Sequence, residues 1–183
     1  MNLFEEIVIA GFGGQGVILI GKLLSQSAMA ADLEVTYMPA YGPEVRGGTA
    51  NCMVVISDEP IASPVVSAPS TVIAMNKASL DRFCPKMQSG GLLVMNRSMI
   101  ESEPPRNDID VLAIPADDLA RELGSPKSAN MVALGAYIAK RKILDPDQVI
   151  QNLSKVLAKR YHQTIPTNQK AFLRGAEFAY RAR

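Results

Sequence analysis

The chain is 183 residues long, enough for one ordinary domain and marginal for two. Hydrophobic residues make up 48% and charged residues 20%, a globular composition that excludes a disordered tail. The net charge of +1 argues against a nucleic-acid binder, which carries a strongly basic domain.

Glu6 to Ala10 is a short apolar run rich in β-branched residues and ending at Gly11, which predicts a buried strand. Val17 to Ala31 suits a helix, since Ala, Leu and Met dominate and proline is absent. Leu33 to Met38 predicts a second strand, giving a strand–helix–strand unit of the length that a right-handed parallel crossover needs. Pro39 to Gly48 holds two prolines and three glycines and predicts an irregular loop. Thr49 to Ser57 predicts a third strand, and Thr71 to Met75 and Gly91 to Met95 two more. Lys77 to Phe83, between those two, predicts a short helix stopped by Pro85.

Asp110 to Ile114 reads as the last strand. Asp117 and Asp118 then suit a helix's first turn, with Gly124 and Pro126 stopping it. Ser128 is expected to cap a helix running through Lys142, and Asp145-Pro146 to open the next. Val149, Ile150, Leu153, Val156 and Leu157 form an apolar stripe at helical spacing. Pro166 is expected to open a final helix with Phe172, Leu173, Ala176 and Tyr180 facing inward. The alternation predicts one α/β domain over residues 1–183: three layers around a mostly parallel, Rossmann-like sheet, with a helical C-terminal part.

The two longest uncharged runs, Ile7 to Gly21 and Pro60 to Asn76, are broken by glycines or prolines, so no membrane span is expected. Glu5 and Glu6 stand where a signal peptide would be basic, and a cytoplasmic protein is expected. Charge is uneven: residues 1–139 hold 9 Lys/Arg against 15 Asp/Glu, whereas residues 140–183 hold 10 against 3. The basic stretch reads either as a solvated helical face or as a docking surface for an acidic partner or a phosphate-bearing ligand.

Gly11-Phe12-Gly13-Gly14-Gln15-Gly16 fits G-x-G-x-x-G and stands after a strand and before a helix. Such glycines let backbone amides approach an anion at a helix N-terminus, and they equally serve a tight turn with no ligand. A dinucleotide site also wants an acid near the end of the second strand. Thr36, Tyr37 and Met38 occupy that place, which counts against NAD, and no basic residue there would read a 2′-phosphate. The second constellation, Tyr41-Gly42-Pro43-Glu44-Val45-Arg46-Gly47-Gly48-Thr49, can present the Arg46 guanidinium beside backbone amides. Arg46 could instead pair with Glu44 and merely stiffen the loop. Both loops are expected at the carboxyl edge of the sheet.

Catalytic candidates are scarce. His162 is the single histidine and sits among Lys159, Arg160 and Tyr161, which suits a helix end better than catalysis. Cys52 and Cys84 lie in apolar surroundings and read as small hydrophobes, and the methionines as gap-fillers. The residues therefore describe a component that assists other chains.

The turn Gly11-x-Gly13-Gly14-Gln15-Gly16 together with Tyr41-Gly42-Pro43-Glu44-x-Arg46-Gly47-Gly48 strongly resembles the gamma subunit of 2-oxoacid:ferredoxin oxidoreductases. The resemblance extends to the chain length and to the final helix around Asn168, Lys170, Ala171 and Phe172. It implies a complex that converts a 2-oxoacid and CoA to acyl-CoA and CO2, with electrons passing to ferredoxin. Thiamine diphosphate, Mg2+ and [4Fe-4S] clusters would be held by alpha, beta and delta subunits, and no cofactor by this chain alone. The 2-oxoglutarate type is the preferred member. Residues Gly11, Gly13, Gly14, Gln15, Gly16, Arg46, Gly47 and Gly48 would form a phosphate- or CoA-facing surface or a subunit contact. The competing reading is a stand-alone nucleotide-binding domain, either an NAD(P) reductase or a regulatory binder.

Overall fold

The computed structural model describes residues 3–42 and 48–182. Six strands form one sheet in the order β2-β3-β1-β4-β5-β6: β1 Phe4–Phe12, β2 Glu34–Tyr41, β3 Thr49–Ser57, β4 Thr71–Ala74, β5 Leu92–Asn96 and β6 Asp110–Ile114. β1, β4, β5 and β6 pair in parallel, and β3 runs antiparallel between β1 and β2. β1 and β2 thus point the same way, joined through helix α1 (Val17–Met29), but they are not neighbours. β3 returns from β2 as a hairpin and takes the place beside β1 that the crossover reading gave to β2. Pairing of that kind leaves no trace in local periodicity.

β2 also extends three residues past its expected end and carries Pro39 within it. It lies at the sheet's edge, where a residue without an N–H is tolerated.

Alternation along β1 sends Ile7 and Ile9 into one core and Val8 and Ala10 into the other. The larger core lies under α1, α3 (Ala116–Glu122), α4 (Ala129–Arg141) and α7 (Ile165–Arg181), with α5 (Pro146–Gln151) and α6 (Leu153–Val156) flanking. On the opposite face the third layer is thin. Helix α2 (Lys77–Phe83), capped by the Asn76 side chain accepting from the Ser79 N–H, supplies it together with Val66, Met87 and Ile100 from irregular segments.

The C-terminal helices differ from expectation in three places. Ser128 makes no capping bond and pairs instead with Ser125 at 2.7 Å. The stripe from Val149 to Leu157 is divided at Asn152, so only Val149 and Leu153 are fully buried. On α7, Phe172 and Ala176 face inward, but Leu173 and Tyr180 are about half exposed, and Ala171, Gly175 and Ala179 take their place. Gly135 of α4 and Gly175 of α7 are why: the two helices approach so closely that only small residues fit at the crossing.

At the amino edge of the sheet, buried Glu5 accepts from Arg141 at 3.0 Å and from the Thr71 hydroxyl, tying β1, β4 and α4 together. Among the described residues no helix is long and apolar enough to cross a membrane.

Candidate functional site

β1 and β4 end together at the carboxyl edge, and the glycine turn leaves β1 there. The Gly13 N–H donates to the Gly48 carbonyl at 2.8 Å, so the turn and the base of the second glycine-rich loop meet as expected. The Gly42 N–H donates to the Thr49 carbonyl at 2.7 Å and closes that loop's stem. Arg46 and Gly47, with Pro43, Glu44 and Val45, lie outside the described residues.

Gln15 braces the turn. Its side-chain oxygen accepts from the Phe12 N–H at 2.7 Å and from the buried Asn76 amide at 3.0 Å, and its NH2 group donates to the Met75 carbonyl at 3.3 Å. The absence of a side chain on Gly11 makes this possible, because a Cβ there would sit 2.7 Å from the Gln15 oxygen. Sequence reasoning placed Gln15 on a phosphate- or CoA-facing surface or a subunit contact; its side-chain amide is committed to partners within the chain.

The same Met75 carbonyl accepts from Asn96 at 3.3 Å, and Asn96 donates to Asp117 while accepting from the Ala116 N–H at 3.2 Å. A ladder of side-chain amides thus runs from β1 across β4 and β5 to α3. Each buried amide would cost ~1–3 kcal/mol if left unpaired, so the ladder holds the carboxyl edge rigid.

Asn130, missed by sequence reasoning, completes the turn. Its NH2 group donates to the Gly16 carbonyl at 3.1 Å, and its oxygen accepts from the Met131 N–H. Gly16 has φ +71° and packs its Cα against that amide, so it needs both the backbone freedom and the missing side chain. Asn130 lies 114 positions away, and no local signal could have revealed the pair.

Of the turn amides, Gly13 and Gln15 donate internally, Gln15 to the Phe12 carbonyl at 3.1 Å. The N–H groups of Gly14 and Gly16 have no partner among the described residues, and α1 opens without a side-chain cap. Unpaired amides at a helix N-terminus favour an anion or a polar partner.

Three cavities meet at Gly14. One of about 310 Å³ is mostly apolar, lined by Phe12, Ile18, Leu19, Tyr41 and Ala50 beside the turn. A second, of about 220 Å³, lies between Gln15, Met75, Asp117 and Lys127. A third, of about 450 Å³, is walled by Lys127, Ser128, Asn130, Tyr161, Thr164 and Asn168.

The remaining sequence candidates are structural. His162 bonds the Leu157 carbonyl at 3.0 Å, closing a 3-10 turn before α7. Cys52 and Cys84 are fully buried on opposite faces of the sheet, and burial pushes the Cys52 thiol up to about 12. Two thiols so placed do not fit an iron–sulfur cluster, which needs four cysteine ligands. Among the described residues no three His, Cys, Asp or Glu side chains gather to hold a metal ion.

An NAD-type reading fails on topology as well as composition. β3 stands between β1 and β2, so β2 is not the strand next to the glycine turn as in a dinucleotide-binding sheet, and the residue at its end that lines the cavity beside the turn, Tyr41, carries no carboxylate.

Comparison with known proteins points elsewhere. The chain is 33% identical over 182 residues to the 2-oxoglutarate synthase subunit KorC of Methanocaldococcus jannaschii, covering 98% of this chain and 96% of that one. It is 34% identical over 174 residues to the ketoisovalerate oxidoreductase subunit VorA of Methanothermobacter thermautotrophicus, covering 95% of this chain but only 36% of that subunit. The crystal structure of a keto/oxoacid ferredoxin oxidoreductase gamma subunit from Geobacter sulfurreducens superposes with a TM-score of 0.85 at 27% identity, over 98% of both chains. The 2-oxoglutarate:ferredoxin oxidoreductase of Magnetococcus marinus, solved with 2-oxoglutarate, coenzyme A and succinyl-CoA, gives 0.87 at 26% identity, over 97% of this chain and 31% of that one. None of these relatives favours the stand-alone nucleotide-binding reading. The family model described as pyruvate ferredoxin/flavodoxin oxidoreductase matches residues 6–178, and the chain belongs to that family.

Proposed function

We propose that residues 1–183 act as one gamma-type domain within a cytoplasmic 2-oxoacid:ferredoxin oxidoreductase. The complex would convert a 2-oxoacid and CoA to acyl-CoA and CO2, passing two electrons to ferredoxin and releasing one proton. Thiamine diphosphate, Mg2+ and [4Fe-4S] clusters belong, on this reading, to alpha, beta and delta partners. The two buried thiols of this chain are consistent with that division of labour. The preferred substrate is 2-oxoglutarate, supported by the end-to-end match to KorC, where the match to VorA spans about a third of that subunit.

The chain's own contribution is a CoA-facing edge. One observation carries this reading: the Gly14 and Gly16 N–H groups stand unpaired among the described residues, where three cavities meet beside the Gly48 carbonyl. Those amides with Arg46, Gly47 and Gly48 would receive the CoA pyrophosphate, while Gly11, Gly13 and Gln15 set the shape of the turn. The Magnetococcus relative, which was solved with coenzyme A, supports the choice of ligand.

The test is R46A in the assembled complex. The expected result is a KM for CoA raised about tenfold, the order of one charge-assisted contact, with CoA-independent decarboxylation unchanged. An unchanged KM with weakened subunit assembly would mean that the loop is a packing surface instead.

A further inference from the structure

Helix α4 is buried from Ala129 to Ala139, and between Asn130 and Lys140 its sequence offers one polar side-chain group, the Tyr137 hydroxyl. That hydroxyl is fully buried and makes no hydrogen bond among the described residues. The apolar side chains around it pack without directional preference. The Gly135–Gly175 crossing fixes α4 against α7. Against the sheet and the glycine turn, the directional side-chain contacts of α4 among the described residues lie at its two ends.

At the amino edge Arg141 is anchored three ways. Its Nε lies 3.0 Å from the buried Glu5 carboxylate and 3.1 Å from the Thr71 hydroxyl, to which it donates, and a terminal nitrogen donates to the Ser70 carbonyl at 2.8 Å. Thr71 donates to the same Glu5 oxygen, and the Ser70 hydroxyl bridges the N–H and carbonyl of Glu6 at 2.9 and 3.0 Å. Glu5 stands near the start of β1, whose other end leads into the glycine turn. There Asn130 holds the Gly16 carbonyl. β1 and α4 are thus two rails tied at both ends, the ties about 16 Å apart along the helix at 1.5 Å per residue.

A buried ion pair is a poor source of stability, because a well-packed apolar pair of similar volume serves as well; what it supplies here is direction. We propose that Glu5 and Arg141 are positioning residues, which fix α4 along its axis relative to β1 and thereby set the Asn130 amide on the Gly16 carbonyl at the opposite edge. The bearing on the reaction rests on the pyrophosphate reading of the turn. Holding that carbonyl keeps Gly16 at φ +71° and so fixes the direction of its unpaired N–H.

The test uses the full chain with nitrogen-15-labelled asparagine, as wild type, E5Q, the apolar pair E5L/R141M, D108N and N130A, the last identifying the Asn130 signal. The apolar pair separates direction from stability, and D108N removes an ion pair that lies off the path between the two ties. E5Q keeps the shape of the side chain and carries the test should the apolar pair fail to fold. The expected result is solvent exchange of the Asn130 side-chain amide about tenfold faster in E5Q and E5L/R141M, with D108N like wild type. In the assembled complex the same two variants should raise the KM for CoA about fivefold, the order of one neutral hydrogen bond, with kcat retained. Unchanged Asn130 exchange in both variants, or equal acceleration in D108N, overturns the positioning role. If R46A raises the KM and these variants do not, the turn reading stands and the positioning role falls. Faster exchange with an unchanged KM in all of them, R46A included, supports the positioning and removes the pyrophosphate reading.

Discussion

Gly135 and Gly175 are reciprocal partners at the crossing of α4 and α7. A Cβ on Gly135 would run into the Phe172 carbonyl, and one on Gly175 into the Val132 carbonyl. Each glycine therefore meets the backbone three residues before the other. Backbone atoms cannot swing aside as a side chain tip can, so a methyl group here must separate the helices. We expect G135A to cost about 3 kcal/mol, the upper part of the range for overpacking, and to lower Tm by roughly 6–12 °C. Thermal unfolding of the variant checks this, and a Tm within 2 °C of wild type would refute the close crossing.

Gln15 offers a second test, since its amide serves the Phe12 N–H, the Asn76 amide and the Met75 carbonyl at once. In Q15A the Met75 carbonyl keeps Asn96, but the other two donors lose their acceptor. The expected cost is about 1–3 kcal/mol in denaturant unfolding, with faster exchange of the Phe12 amide proton. Asn76 should go on capping α2, because that bond uses its oxygen, so far-UV helix content should hold.

Asp108 supplies a pH dependence. The Arg106 hydrogen bond, one arm of it at 2.8 Å, is the main cause holding its carboxyl down from the ordinary 3.8 to about 2, with Ser89 adding a smaller share. A depressed carboxylate stabilises the fold fully above its unfolded value, and that contribution fades as pH falls from about 4 toward 2. D108N lacks this group. Its stability should run closer to parallel with pH across that window than wild type, as read from unfolding midpoints at pH 4, 3 and 2. Identical wild-type and variant slopes would contradict the pairing.

The sequence was most legible where one local signal decided the matter. Thr49–Ser57, Lys77–Phe83 and Asp110–Ile114 stand where β-branched runs, a proline stop and turn residues put them. The meeting of two glycine loops at one edge was also readable, because a turn after β1 and a loop after β2 leave parallel strands at the same end. Illegible parts were those decided at long range. Nothing local says that β3 inserts between β1 and β2, or that Leu173 is displaced outward because Gly175 is the contact residue. The bracing role of the Gln15 side chain was illegible because two of its partners, Met75 and Asn76, lie 60 and 61 positions away.

The bond between Asn130 and the Gly16 carbonyl has a bearing on biogenesis. On the ribosome, β1 and its glycine turn emerge early, whereas Asn130 and then Tyr161, Thr164 and Asn168 are among the later residues to appear. A nascent chain paused before them has the turn but neither its buttress nor the hydroxyl wall. The glycine turn therefore gains its buttress only in chains whose α4 has docked, and in an incomplete chain it lacks the support that fixes its shape in the finished fold.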